Sequence, residues 1–230
     1  MNRFSMVFLL LCPSLVIFGQ DTLNITDSNG RKQGFWRKSD SSGNKIYEGQ
    51  FRDGIPYGAF RYYYPNGKLK TLSVLSGNSK SARTISYYPN GMKMAAGNYI
   101  NEKKDSIWQF FNESDGSLVS EEQYHMGQKS GSSKTFYSMG GIAESSEWKE
   151  GVRDGPWTGY YPGGQVRFSG FYKNNEKTGL FEAFYDSSKP MITGQYSMGH
   201  QNGVWVYYNE KGEITKKETY ENGILRVLKN

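Results

Sequence analysis

One spacing constrains this chain more than any other feature. Small residues recur at Gly34, Gly58, Ala82, Ser106, Gly131, Gly155, Gly179 and Gly203, 24 residues apart at every step but one, which is 25. Self-similarity at a fixed period of this length marks a repeat array, in which each unit buries its apolar face only against its neighbours. The chain is therefore read as eight tandem units over 34–226, with a partial unit or capping strand at 21–33 and a short tail at 227–230.

With the small residue as offset zero, offset two holds Trp36, Phe60, Trp108, Trp157, Phe181 and Trp205, and only Thr84 and Ser133 depart from the pattern. Offset five is aromatic at Tyr63, Tyr87, Phe111, Phe136, Tyr160, Phe184 and Tyr208. A turn follows, clearest in Tyr63-Tyr64-Pro65-Asn66-Gly67, where Pro presets its own φ and Asn-Gly tolerates a left-handed backbone. Offset seventeen is again large, as in Phe51, Leu75, Trp148 and Tyr172, and a second turn such as Asp53-Gly54 comes after it. Turns at this density leave no room for stable helices, while aromatic enrichment suits strands. The expected fold is all-β: an elongated antiparallel β-meander of about eight 24-residue hairpins, close to sixteen strands.

Residue sizes suggest the register. If offsets summing to seventeen lie opposite one another, the Trp at offset two faces glycine at offset fifteen, which is Gly49, Gly97, Gly170 or Gly194. A ring can then cover a bare strand that would otherwise be weak. The competing register sums to sixteen and closes each hairpin with a three-residue loop ending in a left-handed Gly. The first is preferred, and it puts Trp157 across from Gly170 rather than Ser169. It also places the Trp and Gly positions on one face and the offset-five aromatics on the other. That second row is either an interaction stripe or, if the array folds back, part of the core.

Composition agrees with a sheet whose buried area comes from rings. Aromatics make up 16% of the residues, Gly contributes 28, and apolar residues reach only 36%. The first twenty residues, with Arg3, an apolar run from Met6 to Leu11 and a break at Pro13, read as a secretory signal peptide. The expected destination is the periplasm or cell surface. Cys12 is the only cysteine, so a mature chain would hold no disulfide framework, Cys nucleophile or Cys-based metal site.

The net charge is +6, but Lys and Arg are scattered rather than clustered, which reads as a basic surface rather than a nucleic-acid site. The two histidines, His125 and His200, occupy different offsets about three units apart. No acid and base pair interrupts the repeat, and Gly140-Gly141 and Gly163-Gly164 lack the helix of a phosphate loop. The expectation is a chain without catalytic, cofactor-binding or metal-ligating residues. Asn24 and Asn112 head glycosylation acceptor triplets that matter only in a eukaryotic source.

The units Gly155-Pro156-Trp157-Thr158-Gly159-Tyr160-Tyr161-Pro162-Gly163-Gly164 and Gly203-Val204-Trp205-Val206-Tyr207-Tyr208 resemble the GxWxxYYxxG core of MORN repeats, specifically the bacterial variant with a longer unit. The resemblance implies a β-meander used for protein–protein contact and, in some members, contact with phospholipid. It leads to the expectation of a non-enzymatic scaffold that binds a protein partner in the bacterial cell envelope. An anionic membrane surface and an antitoxin-like partner-binding role are the alternatives, and the latter sits poorly with export. The partner and the oligomeric state stay open.

Overall fold

In a computed structural model, described over residues 23–226 with Asn78 excepted, eighteen antiparallel strands form one open sheet. Each strand pairs with the next along the chain, from Ile25–Thr26 at one end to Ile224–Arg226 at the other. Sixteen of them make the eight expected hairpins, and the two short terminal strands cap the edges. The signal-peptide segment, Cys12 and the tail from 227 lie outside the described residues.

Both registers considered from the sequence occur, in different parts of each hairpin. Along the body the offsets sum to seventeen: Gly34 faces Phe51, Trp36 faces Gly49, and Trp157 faces Gly170. Next to the turn a bulge shifts the sum to sixteen, so Tyr63 faces Leu69 and Tyr160 faces Val166. The loop beyond is the three-residue kind, with Gly67 at φ 79° and its amide bonded to Tyr64 O at 2.9 Å. One extra residue on the second strand reconciles the two.

A second irregularity lies between hairpins. Opposite Gly49, Gly97, Gly170 and Gly194, the pairing skips so that three residues of the next strand face one. The offset-zero residue sits in this bulge with a left-handed backbone, as at Gly58 (φ 68°) and Gly203 (φ 74°). Glycine recurs there because of that φ, rather than because it opposes a large residue. The exception supports the cause: Ala82 has no positive φ, and the strands Leu69–Leu75 and Ser81–Tyr87 run in unbroken register. Ser106 adopts φ 61° without being glycine. A left-handed non-glycine residue costs roughly 1–2 kcal/mol. Ser106→Gly is accordingly expected to stabilise the chain by about 1 kcal/mol, which urea unfolding of the two proteins would measure.

The bulge redirects the rings. Where the preceding hairpin offers a glycine, the offset-two ring leans across onto it, so Gly49 is covered by Phe60, Gly97 by Trp108 and Gly194 by Trp205. The expected ring-on-glycine packing is present, but it joins successive hairpins instead of closing one. Gly170 is the intermediate case, touched by both Phe181 and Trp157. Trp108 and Trp205 are each only 2% exposed in a sheet with no second layer.

Both margins of the sheet are stitched from hairpin to hairpin. At the three-residue turns, the second Tyr of each Tyr-Tyr or Phe-Tyr pair donates its hydroxyl to a main-chain carbonyl 23 residues on: Tyr64 to Tyr87, Tyr88 to Phe111, Tyr137 to Tyr160, Tyr161 to Phe184, and Tyr185 to Tyr208. At the opposite margin, turn amides reach the first strand of the same unit, as Gly54 N to Lys32 O and Gly151 N to Lys129 O, both near 2.9 Å. These turns have positive φ at both central residues, for example Asp53 and Gly54, the conformation whose twist matches paired strands.

Candidate binding surface

The ring face carries a feature that scattered charge in the sequence concealed. Two residues before offset zero, Lys32, Lys80, Lys104, Lys129, Arg153 and Lys177 recur on six of the eight hairpins, with Pro56 and Gln201 in the second and eighth. Lys32, Lys104, Lys129, Arg153 and Lys177 lie over aromatic rings. Lys32 stands 4.6 Å from the Trp36 centroid and 4.7 Å from Phe51, while Lys104 is 4.7 Å from Trp108 and from Phe110. Lys129 and Arg153 flank Trp148, and Lys177 bridges Trp157 and Tyr196. Neighbouring hairpins are two strands apart, so the cations are spaced by about 9.6 Å. Six of the 28 Lys and Arg residues are therefore set at one repeat position, within an otherwise scattered basic surface. The signal was legible as a recurring Lys or Arg at one offset.

Of these cations, Lys129 is neutralised by Glu122 at 2.7 Å, and the Tyr124 hydroxyl completes that carboxylate at 2.6 Å. Burial, then the repulsion of Lys129, lowers the Lys104 pKa against the pull of Glu122. Burial and the hydrogen bond to Glu122 raise that of Tyr124. After the inserted residue of the fourth unit, Glu122 takes the offset-fifteen place opposite Trp108, and Ser133 occupies offset two in the next hairpin, so a polar cluster replaces a ring-on-glycine contact at this junction.

The other substituted junction is open. Where Thr84 replaces the ring and Ser73 the glycine, the face holds a groove of about 760 Å³. Ser73 and Thr84 bond through their hydroxyls at 3.0 Å, with Thr71 and Ser86 beside them at 3.4 Å. Tyr47, Phe51, Phe60 and Tyr62 line one side and Tyr99 the other. The sequence singles out Thr84 and Ser133 as departures from the pattern, but only the packing between hairpins distinguishes the groove from the filled junction.

On the opposite face, the offset-five residues Tyr63, Tyr87, Phe111, Phe136, Tyr160, Phe184 and Tyr208 are all half-buried. The Tyr63 hydroxyl bonds Glu48, and Lys45 caps its ring at 4.2 Å. Burial and that carboxylate push the Tyr63 pKa up to about 12. Burial alone would raise the Glu48 carboxyl, but the Tyr63 bond with Lys45 and Arg37 outweighs it and holds the pKa below its ordinary value. Exposed apolar groups also recur at offsets one and sixteen: Ile107, Val204, Leu180, Val74 and Phe171, from 56% down to 49%. His125 sits by Asp105 and His200 against the Gly223 turn, two separate turns.

The family profile described as MORN repeat variant matches residues 56–73, 153–174 and 201–222. The three matches fall on corresponding stretches of the second, sixth and eighth units.

The chain carries MORN repeats.

The MORN match takes in the cation position, the Gly bulge and the tyrosine pair, which are the elements that join one hairpin to the next. No curated protein matches the chain. Among solved structures, the MORN array is similar to chains in "Crystal Structure of TcdB2-TccC3-Cdc42" (10% identity, TM-score 0.22) and "Crystal Structure of TcdB2-TccC3-TEV" (9% identity, TM-score 0.22). In both cases the similarity covers 84% of this chain and 13% of the other.

Proposed function

We propose that this MORN array is a non-enzymatic scaffold that holds an acidic protein partner along its ring face, in the bacterial cell envelope. The observation that carries the reading is the cation row. Among the described residues, Lys32, Lys104, Arg153 and Lys177 stand over rings with no carboxylate within ion-pair distance. Charges that the fold itself does not neutralise favour a partner of opposite sign and fix its register. The envelope assignment rests on the apolar N-terminal segment of the sequence.

The triple variant Lys104→Glu, Arg153→Glu, Lys177→Glu is expected to weaken partner capture from the native envelope by at least about tenfold at low salt, with circular dichroism unchanged. Tyr63→Ser, Tyr87→Ser and Tyr160→Ser together test the opposite face. If that variant stays folded and loses the partner while the charge reversal keeps it, the ring face is the wrong surface. The same cations favour a second reading, an anionic lipid surface. Flotation with phosphatidylglycerol vesicles that falls with added salt, in the absence of any protein partner, would support the lipid reading.

A further inference from the structure

We propose that the groove at the junction of the second and third hairpins is a carbohydrate-binding site, taking the pyranose rings of a neutral oligosaccharide. This site shares only Lys80 with the cation row and does not rest on the scaffold reading. Its volume, about 760 Å³, lies in the range of small-molecule sites, roughly 300–1,000 Å³.

The groove exists because three repeat rules fail together. Thr84 supplies no ring, Ser73 supplies no bare backbone, and Ala82 supplies no left-handed bulge, so the two strands meet in straight register. The space is not simply a vacancy for a partner's indole. In the filled junctions, ring atoms lie 2.3 Å from where a Cβ would stand on Gly97 or Gly194. Ser73 has that Cβ and a hydroxyl besides, so a ring cannot settle there as it does elsewhere in the array.

What remains is a floor of hydroxyls between aromatic walls. Each Ser or Thr hydroxyl has one donor and two acceptor sites. Thr84 is buried and bonded to Ser73, so the half-buried Ser73, Thr71 and Ser86 hydroxyls, which the Ser73–Thr84 and Thr71–Ser86 bonds use only in part, are the ones that can meet the hydroxyls of a sugar. Tyr62 on one side, 40% exposed, and half-buried Tyr99 on the other offer flat faces for the C–H groups of a pyranose, a weak contact that repeats along the ring. Lys80 and Glu102 lie at the rim, and this balance of signs favours a neutral ligand over a polyanion. An extended peptide is disfavoured for another reason. The two strands of the floor already spend their main-chain groups on each other, leaving none for strand addition.

The full chain labelled with 15N should be titrated with cellotetraose and with chitotetraose. Saturable binding of at least one, with shift changes confined to the Ser73, Thr84, Ser86 and Tyr99 amides, is the expected result. Ser73→Gly with Thr84→Trp restores the ring-on-glycine pair, fills the groove, and should weaken binding at least about tenfold. Ser73→Ala with Ser86→Ala keeps the groove open, removes two hydroxyls and should also weaken binding; it carries the test should the first variant misfold. The proposal is overturned if neither saccharide binds saturably up to about 10 mM, where even a millimolar Kd would be visible. Binding that survives both variants overturns it equally, as does tighter binding of N-acetyltryptophanamide in the same groove.

Discussion

Gly97→Ala and Gly194→Ala should each destabilise the array by about 3 kcal/mol, near the upper end of what one inserted methyl costs in a packed core. The added Cβ would stand 2.3 Å from the indole of Trp108 or Trp205, where ordinary contact begins near 3.4 Å. Neither glycine has a positive φ, so backbone strain does not confuse the result. Each indole is 2% exposed, with Tyr99 packed edge-on against Trp108 at 4.9 Å and Tyr196 against Trp205 at 5.1 Å. It cannot yield without disturbing the next hairpin.

Gly170→Ala supplies the internal control. It occupies the same repeat position, but its nearest ring atom would be 3.3 Å away, so the expected loss is below about 1 kcal/mol. Urea unfolding of the three variants measures the difference. Equal losses at all three positions would show that glycine is kept there for the strand backbone and not for the ring.

The second large effect concerns the tyrosine ladder. Replacing Tyr64, Tyr88, Tyr137, Tyr161 and Tyr185 with Phe keeps every ring and removes five hydroxyl-to-carbonyl bonds of 2.5 to 3.0 Å. A hydrogen bond contributes a net ~1 kcal/mol, and sites about 10 Å apart add nearly independently. The five-fold variant should therefore lose about 5 kcal/mol, with each single variant losing about a fifth of that.

The ladder is interrupted where the tyrosine position is Asp40 and where it is Asn112. Asn112 heads a turn lengthened by one residue, closed by Asn112 N to Ser117 O at 2.9 Å. In a linear array, stability is a sum of unit and neighbour contributions. The junction of the fourth and fifth hairpins should accordingly show the fastest native-state hydrogen exchange between the terminal hairpins. In the five-fold variant that contrast should vanish. If exchange is uniform along the parent chain, the ladder does not set the strength of the junctions.

How much of this was legible follows from which residues encode it. Period, turns and alternation gave the all-β meander and its faces, because each depends on contacts within one unit. The pairing of Trp157 with Gly170 was legible from size, yet the ring's final seat was not. The seat depends on a bulge in the next strand, and a left-handed φ at Gly58 or Gly203 looks in sequence like any small residue. The tyrosine ladder was hidden similarly: Tyr64 and Tyr63 read as one aromatic pair, although one hydroxyl bridges hairpins and the other binds Glu48. The offset-five row, open between surface and core, is half-buried on the face away from the tryptophans.

The 24-residue spacing, by itself, determined that this chain is an array of hairpins with one ringed face, since nothing else satisfies turns and apolar positions at that interval. Only the tertiary structure decided how the hairpins are joined. It also decided where the cations align and that the Thr84 junction is open while the Ser133 junction is filled by polar groups. Those outcomes depend on neighbours 22 to 24 residues away, reached through bulges and hydroxyls, and on side-chain packing across strands that no single repeat contains.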